Sequence, residues 1–123
     1  MYVKKYVVDI TTFAEGDDAG KGTGYTPVVN GRILTIRYLK ATTGSFADTV
    51  DFDVTTEDSG VVVWDEDDVT ASATVLPRQA VHSTAGVASG TESDCLYVAN
   101  ERIKIEVADG GNGKVGQFVV LVG

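Results

Sequence analysis

The sequence predicts an all-β fold, a single-domain antiparallel β-sandwich or jelly-roll-like barrel, on three observations. Valine, isoleucine and threonine supply 39 of the 123 residues, and their branched, χ1-restricted side chains suit a pleated surface better than a helix. Apolar residues recur with a period of two, and no window shows a convincing 3.6-residue stripe. Clusters of Gly, Asn, Asp and Ser punctuate the alternating runs at short intervals, which favours antiparallel links over parallel crossovers.

The elements follow in order. Tyr2–Thr12 is the first predicted strand, with Tyr6, Val8 and Ile10 on one face. Phe13–Gly24 is rich in Gly and Asp and predicts an exposed loop. Thr26-Pro27 excludes a helix, and Asn30-Gly31 signals a turn. Arg32–Lys40 alternates Leu34, Ile36 and Tyr38 against Thr35, Arg37 and Leu39. Thr49–Thr56 is the clearest strand: Val50, Phe52 and Val54 face one way, Asp51, Asp53 and Thr55 the other. Glu57-Asp58-Ser59-Gly60 has the composition of a tight connection to the next strand, Gly60–Trp64. Its continuous run Val61-Val62-Val63-Trp64 predicts cover on both faces. Ala71–Ser93, small and polar, predicts a long loop with only a short strand near Thr74–Leu76. Arg102–Ala108 sets Ile103, Ile105 and Val107 against charged residues, and Val115–Val122 carries Phe118, Val120 and Val122 on one face. The intervening Asp109-Gly110-Gly111-Asn112-Gly113 tolerates positive φ and predicts a hairpin between these last two strands.

Charge and composition narrow the function. The formal charge of −8 opposes contact with a phosphate backbone, which needs Lys and Arg, so no nucleic-acid partner is expected. No apolar run approaches the roughly 18 residues of a membrane span, and no membrane partner is expected. Cys95 is the only cysteine, which excludes an internal disulfide. The start Met1-Tyr2-Val3-Lys4-Lys5 lacks an apolar signal core and reads as a cytosolic beginning.

Candidate chemistry is sparse. Gly16-Asp17-Asp18-Ala19-Gly20-Lys21-Gly22-Thr23 resembles a phosphate loop superficially, but the spacing is one residue short and Gly22 separates Lys21 from Thr23. Asp65-Glu66-Asp67-Asp68 is the densest acidic run; four consecutive acids cannot converge on one cation, so a solvated strand end is expected. Asp51, Asp53 and Glu57 offer a weak divalent site, and outward-facing acids that keep a sheet face wet are the simpler reading. His82 is the only histidine and lies 13 positions from Cys95, without the further ligands a zinc site needs. Cys95 is expected to be a small buried apolar residue. Trp64 and the tyrosines are expected to pack in a core or interface. No catalytic, cofactor-binding or metal-binding residue is assigned, no cofactor is implied, and no enzyme is expected.

Several segments together carry a family resemblance: Tyr25–Leu34, Val50–Glu57, Val69–Thr74, Leu76–Ala80, Asn100–Lys104 and the terminal Gly111–Gly123. This series resembles the capsid decoration, or cement, proteins encoded among the head genes of tailed bacteriophages. The resemblance implies a homotrimeric β-sandwich made in the host bacterial cytoplasm. In the virion it would sit on the outer capsid surface, bound to the major capsid protein and holding neighbouring shell subunits against internal DNA pressure. Two contact elements are then expected. One is an N-terminal arm, Met1–Tyr6, whose Tyr2, Lys4 and Lys5 mix apolar and basic character in an acidic chain. The other is the Ala71–Ser93 loop with Arg78 and His82. The alternatives are a head–tail connector, tail or fibre component of the same particle, and a carbohydrate- or cation-binding β-sandwich module.

Overall fold

In the computed structural model, which describes residues 2–123, the alternation read from the sequence becomes ten strands in two antiparallel sheets and no helix. The strands are β1 (Lys4–Thr11), β2 (Gly22–Tyr25), β3 (Val29–Lys40), β4 (Asp51–Thr56), β5 (Val62–Glu66), β6 (Ala73–Val75), β7 (Arg78–His82), β8 (Ala88–Glu101), β9 (Ile103–Ala108) and β10 (Val115–Val122). The larger sheet runs β1-β10-β3-β8-β7, with β6 also pairing β3; the smaller runs β2-β9-β4-β5. The chain is thus an all-β sandwich. No helix among the described residues is long and apolar enough to cross a membrane.

The predicted inward faces meet between the sheets. Ile36, Tyr38, Phe118 and Val120 of the larger sheet oppose Phe52, Val54, Ile103 and Ile105 of the smaller, all at 1% exposure or less. At the centre Phe52 touches four rings: Tyr38 at 4.7 Å, Phe118 at 4.9 Å, Trp64 at 5.3 Å and Phe46 at 6.3 Å between centroids. All four contacts are edge-to-face, a geometry that the ring quadrupole favours. Burial pushes the Tyr38 hydroxyl pKa up, and nearby Asp48 adds to the shift.

Several expectations are corrected. The last two strands form no hairpin: β9 belongs to the smaller sheet and β10 to the larger. Asp109–Gly113 carries the chain across the sandwich, its carbonyls and amides taken by Thr12, Gly20 and Ala47. Asn30-Gly31 is no turn but a bulge inside β3, where the register against β8 shifts and Gly31 sits at φ +127°. The Val61–Trp64 run is not covered on both faces. Strand β5 is an edge strand, with Val62 57% exposed. A bulge against Val54 and Thr55 lets both Val63 and Trp64 turn inward, which explains the unbroken apolar run.

Phe13–Gly24 is only partly loop, because it ends in the first three residues of β2. Its glycines pack against β1: a Cβ on Gly24 would lie 2.5 Å from Val8 Cγ1, and one on Gly22 would lie 2.7 Å from Ile10 Cγ2. Ala71–Ser93 is not a long loop either, since it holds β6, β7 and the start of β8. The Glu57–Gly60 connection does join two paired strands, β4 and β5. It is fastened by the junction where the chain passes from β8 to β9. Glu101 accepts hydrogen bonds from the Asp58 and Ser59 amides, each at 3.0 Å, and Arg102 forks onto both oxygens of Glu57. The Arg102 guanidinium also lies 4.0 Å from the centre of the Tyr25 ring.

Candidate functional site

The expected contact residues fall into two groups on opposite edges of the larger sheet, because β1 and β7 are its first and last strands. On the β1 side only Tyr2 and Val3 project free, at 81% and 47% exposure; Met1 lies outside the described residues. The expected arm is therefore shorter than Met1–Tyr6. Lys4, Lys5 and Tyr6 already pair with Val122, Leu121 and Val120 of β10. Successive strand residues point to opposite faces, so Lys4 and Lys5 do not form one patch.

On the other edge Arg78 and His82 stand on a two-stranded ribbon in which Arg78 faces Cys95 and His82 faces Ala88. Nearly every residue of this ribbon is exposed on both faces. The register slips between Ala80 and His82, and the slack on β8 is taken up by Ser89, whose hydroxyl accepts the Thr91 and Glu92 amides. Cys95 is only half-buried, contrary to expectation, with Arg78 Nη1 3.4 Å from its sulfur. Tyr97 is 66% exposed and faces Arg32 across the ladder.

Each sheet also presents an outer face, and only on the smaller sheet did the sequence point to one, through Asp51 and Asp53. On the larger sheet, registered rows Lys5–Leu121–Thr35 and Val7–Val119–Arg37 cross β1, β10 and β3. Together with Leu39 and Gln117 they line a groove of about 490 Å³. Val119 lines this groove and is only 6% exposed. Among the described residues, neither Lys5 nor Arg37 makes a salt bridge. The signal was present in the sequence: β10 is apolar at Val119 and Leu121, on the face its core residues leave outward.

The smaller sheet's outer face has opposite character. The row Thr23–Glu106–Asp53–Asp65 sets three carboxylates side by side on β9, β4 and β5, and Asp51 and Asp67 line the same cleft. Directly opposed like charges destabilise a sheet. Desolvation, then Asp65 and Glu106, hold the Asp53 pKa above the ordinary aspartate range. Asp51, then desolvation and the neighbouring Asp65 and Asp68, do the same for Asp67. Glu57 and Glu101 shift the other way, lowered chiefly by hydrogen bonds from Arg102 and from the Ser59 amide. Among the described residues no group of three or more His, Cys, Asp or Glu is arranged to hold a metal ion.

These shifts have opposite signs in stability. Asp53 ionises less readily folded than unfolded, so the fold loses stability as pH rises from the ordinary aspartate value to the raised one. Glu57 and Glu101 contribute stability above the ordinary glutamate value, lost as pH falls through their lowered values. Asp53→Asn is therefore expected to stabilise the protein at neutral pH by about 0.5 kcal/mol, a cross-strand repulsion discounted for solvent screening. The gain should vanish near pH ~3, where aspartates are protonated. Thermal melts at the two pH values check this; an equal gain at both would mean the effect is not electrostatic.

No family model matches the chain, and no curated protein matches its sequence. A solved structure titled "Crystal Structure of FLHE" is similar over 99% of this chain and 98% of its own, at 11% identity and a TM-score of 0.46. That degree of likeness carries no functional argument.

Proposed function

We propose that this chain is a bacteriophage virion structural protein that binds the outer surface of the mature capsid and stabilises it. In this role it works by binding and not by turnover, as a homotrimer seated on the major capsid protein. The family resemblance of its segments motivates the reading. The observation that carries it is the placement of the two exposed contact groups on opposite edges of one rigid sheet.

Such a layout suits a clamp. Tyr2 and Lys4 at one edge, and Arg78 and His82 on the protruding ribbon at the other, can hold two neighbouring shell elements across a stiff sandwich. A partner that recognises only the expanded lattice shifts the equilibrium toward it by linkage. Three copies joined as a trimer multiply a weak single-site affinity through effective concentration. The net charge of −8 keeps an abundant surface protein soluble and repels released DNA.

Co-sedimentation with purified shells tests the proposal. The chain is expected to pellet with expanded shells and not with unexpanded ones, in hundreds of copies per particle. Arg78→Glu combined with His82→Glu is expected to lower occupancy at least tenfold, about 1.4 kcal/mol per site. Equal binding to both shell forms, or occupancy indifferent to the ribbon charges, overturns it. A stoichiometry of about six or twelve copies would instead indicate a connector or tail component.

A further inference from the structure

The two outer sheet faces are complementary to each other. The larger sheet offers Val7, Val119, Leu121 and Leu39 as an apolar strip flanked by Lys5 and Arg37. Lys5 and Arg37 sit two strands and one same-face step apart, about 12 Å from standard strand spacings. The smaller sheet presents Glu106, Asp53 and Asp65 in one row, about 10 Å wide by the same spacings. Beside that row on β5 lies Val62, 57% exposed, as an apolar flank; at the β2 side the Tyr25 ring carries Arg102. Both faces are ladders with strand-defined registers, so little conformational entropy is lost when they dock.

We propose that the outer face of the larger sheet docks the acidic outer face of the smaller sheet of a second copy. Subunits then associate head to tail: Lys5 and Arg37 of one copy settle over the carboxylate row of the next, and the apolar strip is covered. The occupant is a second copy because this chain itself supplies the opposite charge at a matching spacing. Lys104 pairs with Glu106 on this face, but among the described residues Asp53 and Asp65 make no salt bridge, and a second copy's Lys5 and Arg37 would relieve their cross-strand repulsion. A head-to-tail contact closes into a ring when its rotation permits and stacks when it does not. The contact rests on the two faces alone and does not depend on the capsid reading; because the faces lie on opposite sides of the sandwich, it stacks copies one on the next and is distinct from any trimer contact.

Sedimentation of the purified full-length chain, with no shell present, separates this proposal from the previous one. Wild-type protein is expected to self-associate at low salt and to dissociate as salt rises. Lys5→Glu with Arg37→Glu makes both faces acidic, while Asp53→Lys with Asp65→Lys makes both basic. Each double variant is expected to be at least tenfold weaker in self-association. An equimolar mixture of the two is expected to associate again, because the reversed faces complement one another. Circular dichroism melts of each variant confirm folding before the comparison is made. A monomeric wild type at low salt overturns the proposal. So does association that survives both reversals, which would place the contact at the free sheet edges, or a mixture that stays dissociated.

Discussion

Phe52→Ala is expected to cost about 4 kcal/mol, within the range for a fully buried phenylalanine truncated to alanine. Phe52 is 1% exposed and contacts four other rings drawn from β3, β5, β10 and the segment before β4. Its removal costs the transfer energy of the ring and leaves a cavity that both sheets border. The lining can relax little, because Tyr38 and Phe118 are anchored in the central strands β3 and β10. For a chain of this length the loss corresponds to a midpoint lowered by roughly 15 °C. It is also a large share of the roughly 5–15 kcal/mol that separates native from unfolded domains. Phe52→Leu keeps most of the volume and is expected to cost only about 1.5 kcal/mol. Urea denaturation of both variants measures the difference. A loss under about 1.5 kcal/mol for the alanine variant would show that the five rings do not act as one packed unit.

The same cluster shows why parts of this fold were legible in the sequence. Strands with one buried face write that face into the chain: Val50, Phe52 and Val54, or Ile103, Ile105 and Val107, alternate because every second residue must leave water. The β7–β8 ribbon has no such face. Its residues meet solvent on both sides, so Arg78–His82 and Ala88–Cys95 carry no alternation and read as loop. Strand β2 was hidden for a different reason. Its Gly-Thr-Gly-Tyr sequence resembles a turn, yet the glycines are there to let β1 approach. The Asp109–Gly113 segment has the positive φ angles its composition implied, at Asp109, Gly111 and Gly113. Local backbone chemistry could not say whether the chain then doubled back or crossed to the other sheet.

Tyr2 and Arg78, the candidate contact residues, are exposed, and which sheet edge each occupies follows from long-range pairing that one strand does not encode. The outer face of the larger sheet escaped notice because it is assembled from three strands, and on the smaller sheet only the share of one strand, Asp51 and Asp53, was legible. Lys5, Arg37 and Val119 are far apart in sequence, and only the registers Lys5–Leu121 and Val119–Arg37 bring them into neighbouring rows. Asp53 lies opposite both Asp65 and Glu106 for the same reason.

Gly116→Val is expected to destabilise the protein by about 3 kcal/mol, the upper end of the cost of overpacking a filled core. Gly116 is a buried β10 residue, and a Cβ placed there would lie 2.4 Å from Phe46 Cε2 and 2.8 Å from Cζ. A strand interior normally favours valine over glycine by about 1 kcal/mol, so the clash must exceed that gain for the variant to lose. Whether it does depends on how freely the Phe46 ring can retreat. Phe46 is 2% exposed and stacks on Tyr38 at 5.9 Å. Its backbone is held on both sides: the Ala47 amide donates to the Gly110 carbonyl, and the Val115 amide donates to that of Gly44. The ring therefore has no open direction, and the clash wins. Phe46→Leu vacates the contested space, so the double variant is expected to be more stable than the sum of the two single losses implies. A coupling of at least 1 kcal/mol in that double-mutant cycle would identify the ring as the obstacle. Strict additivity would place the strain in the β10 backbone instead.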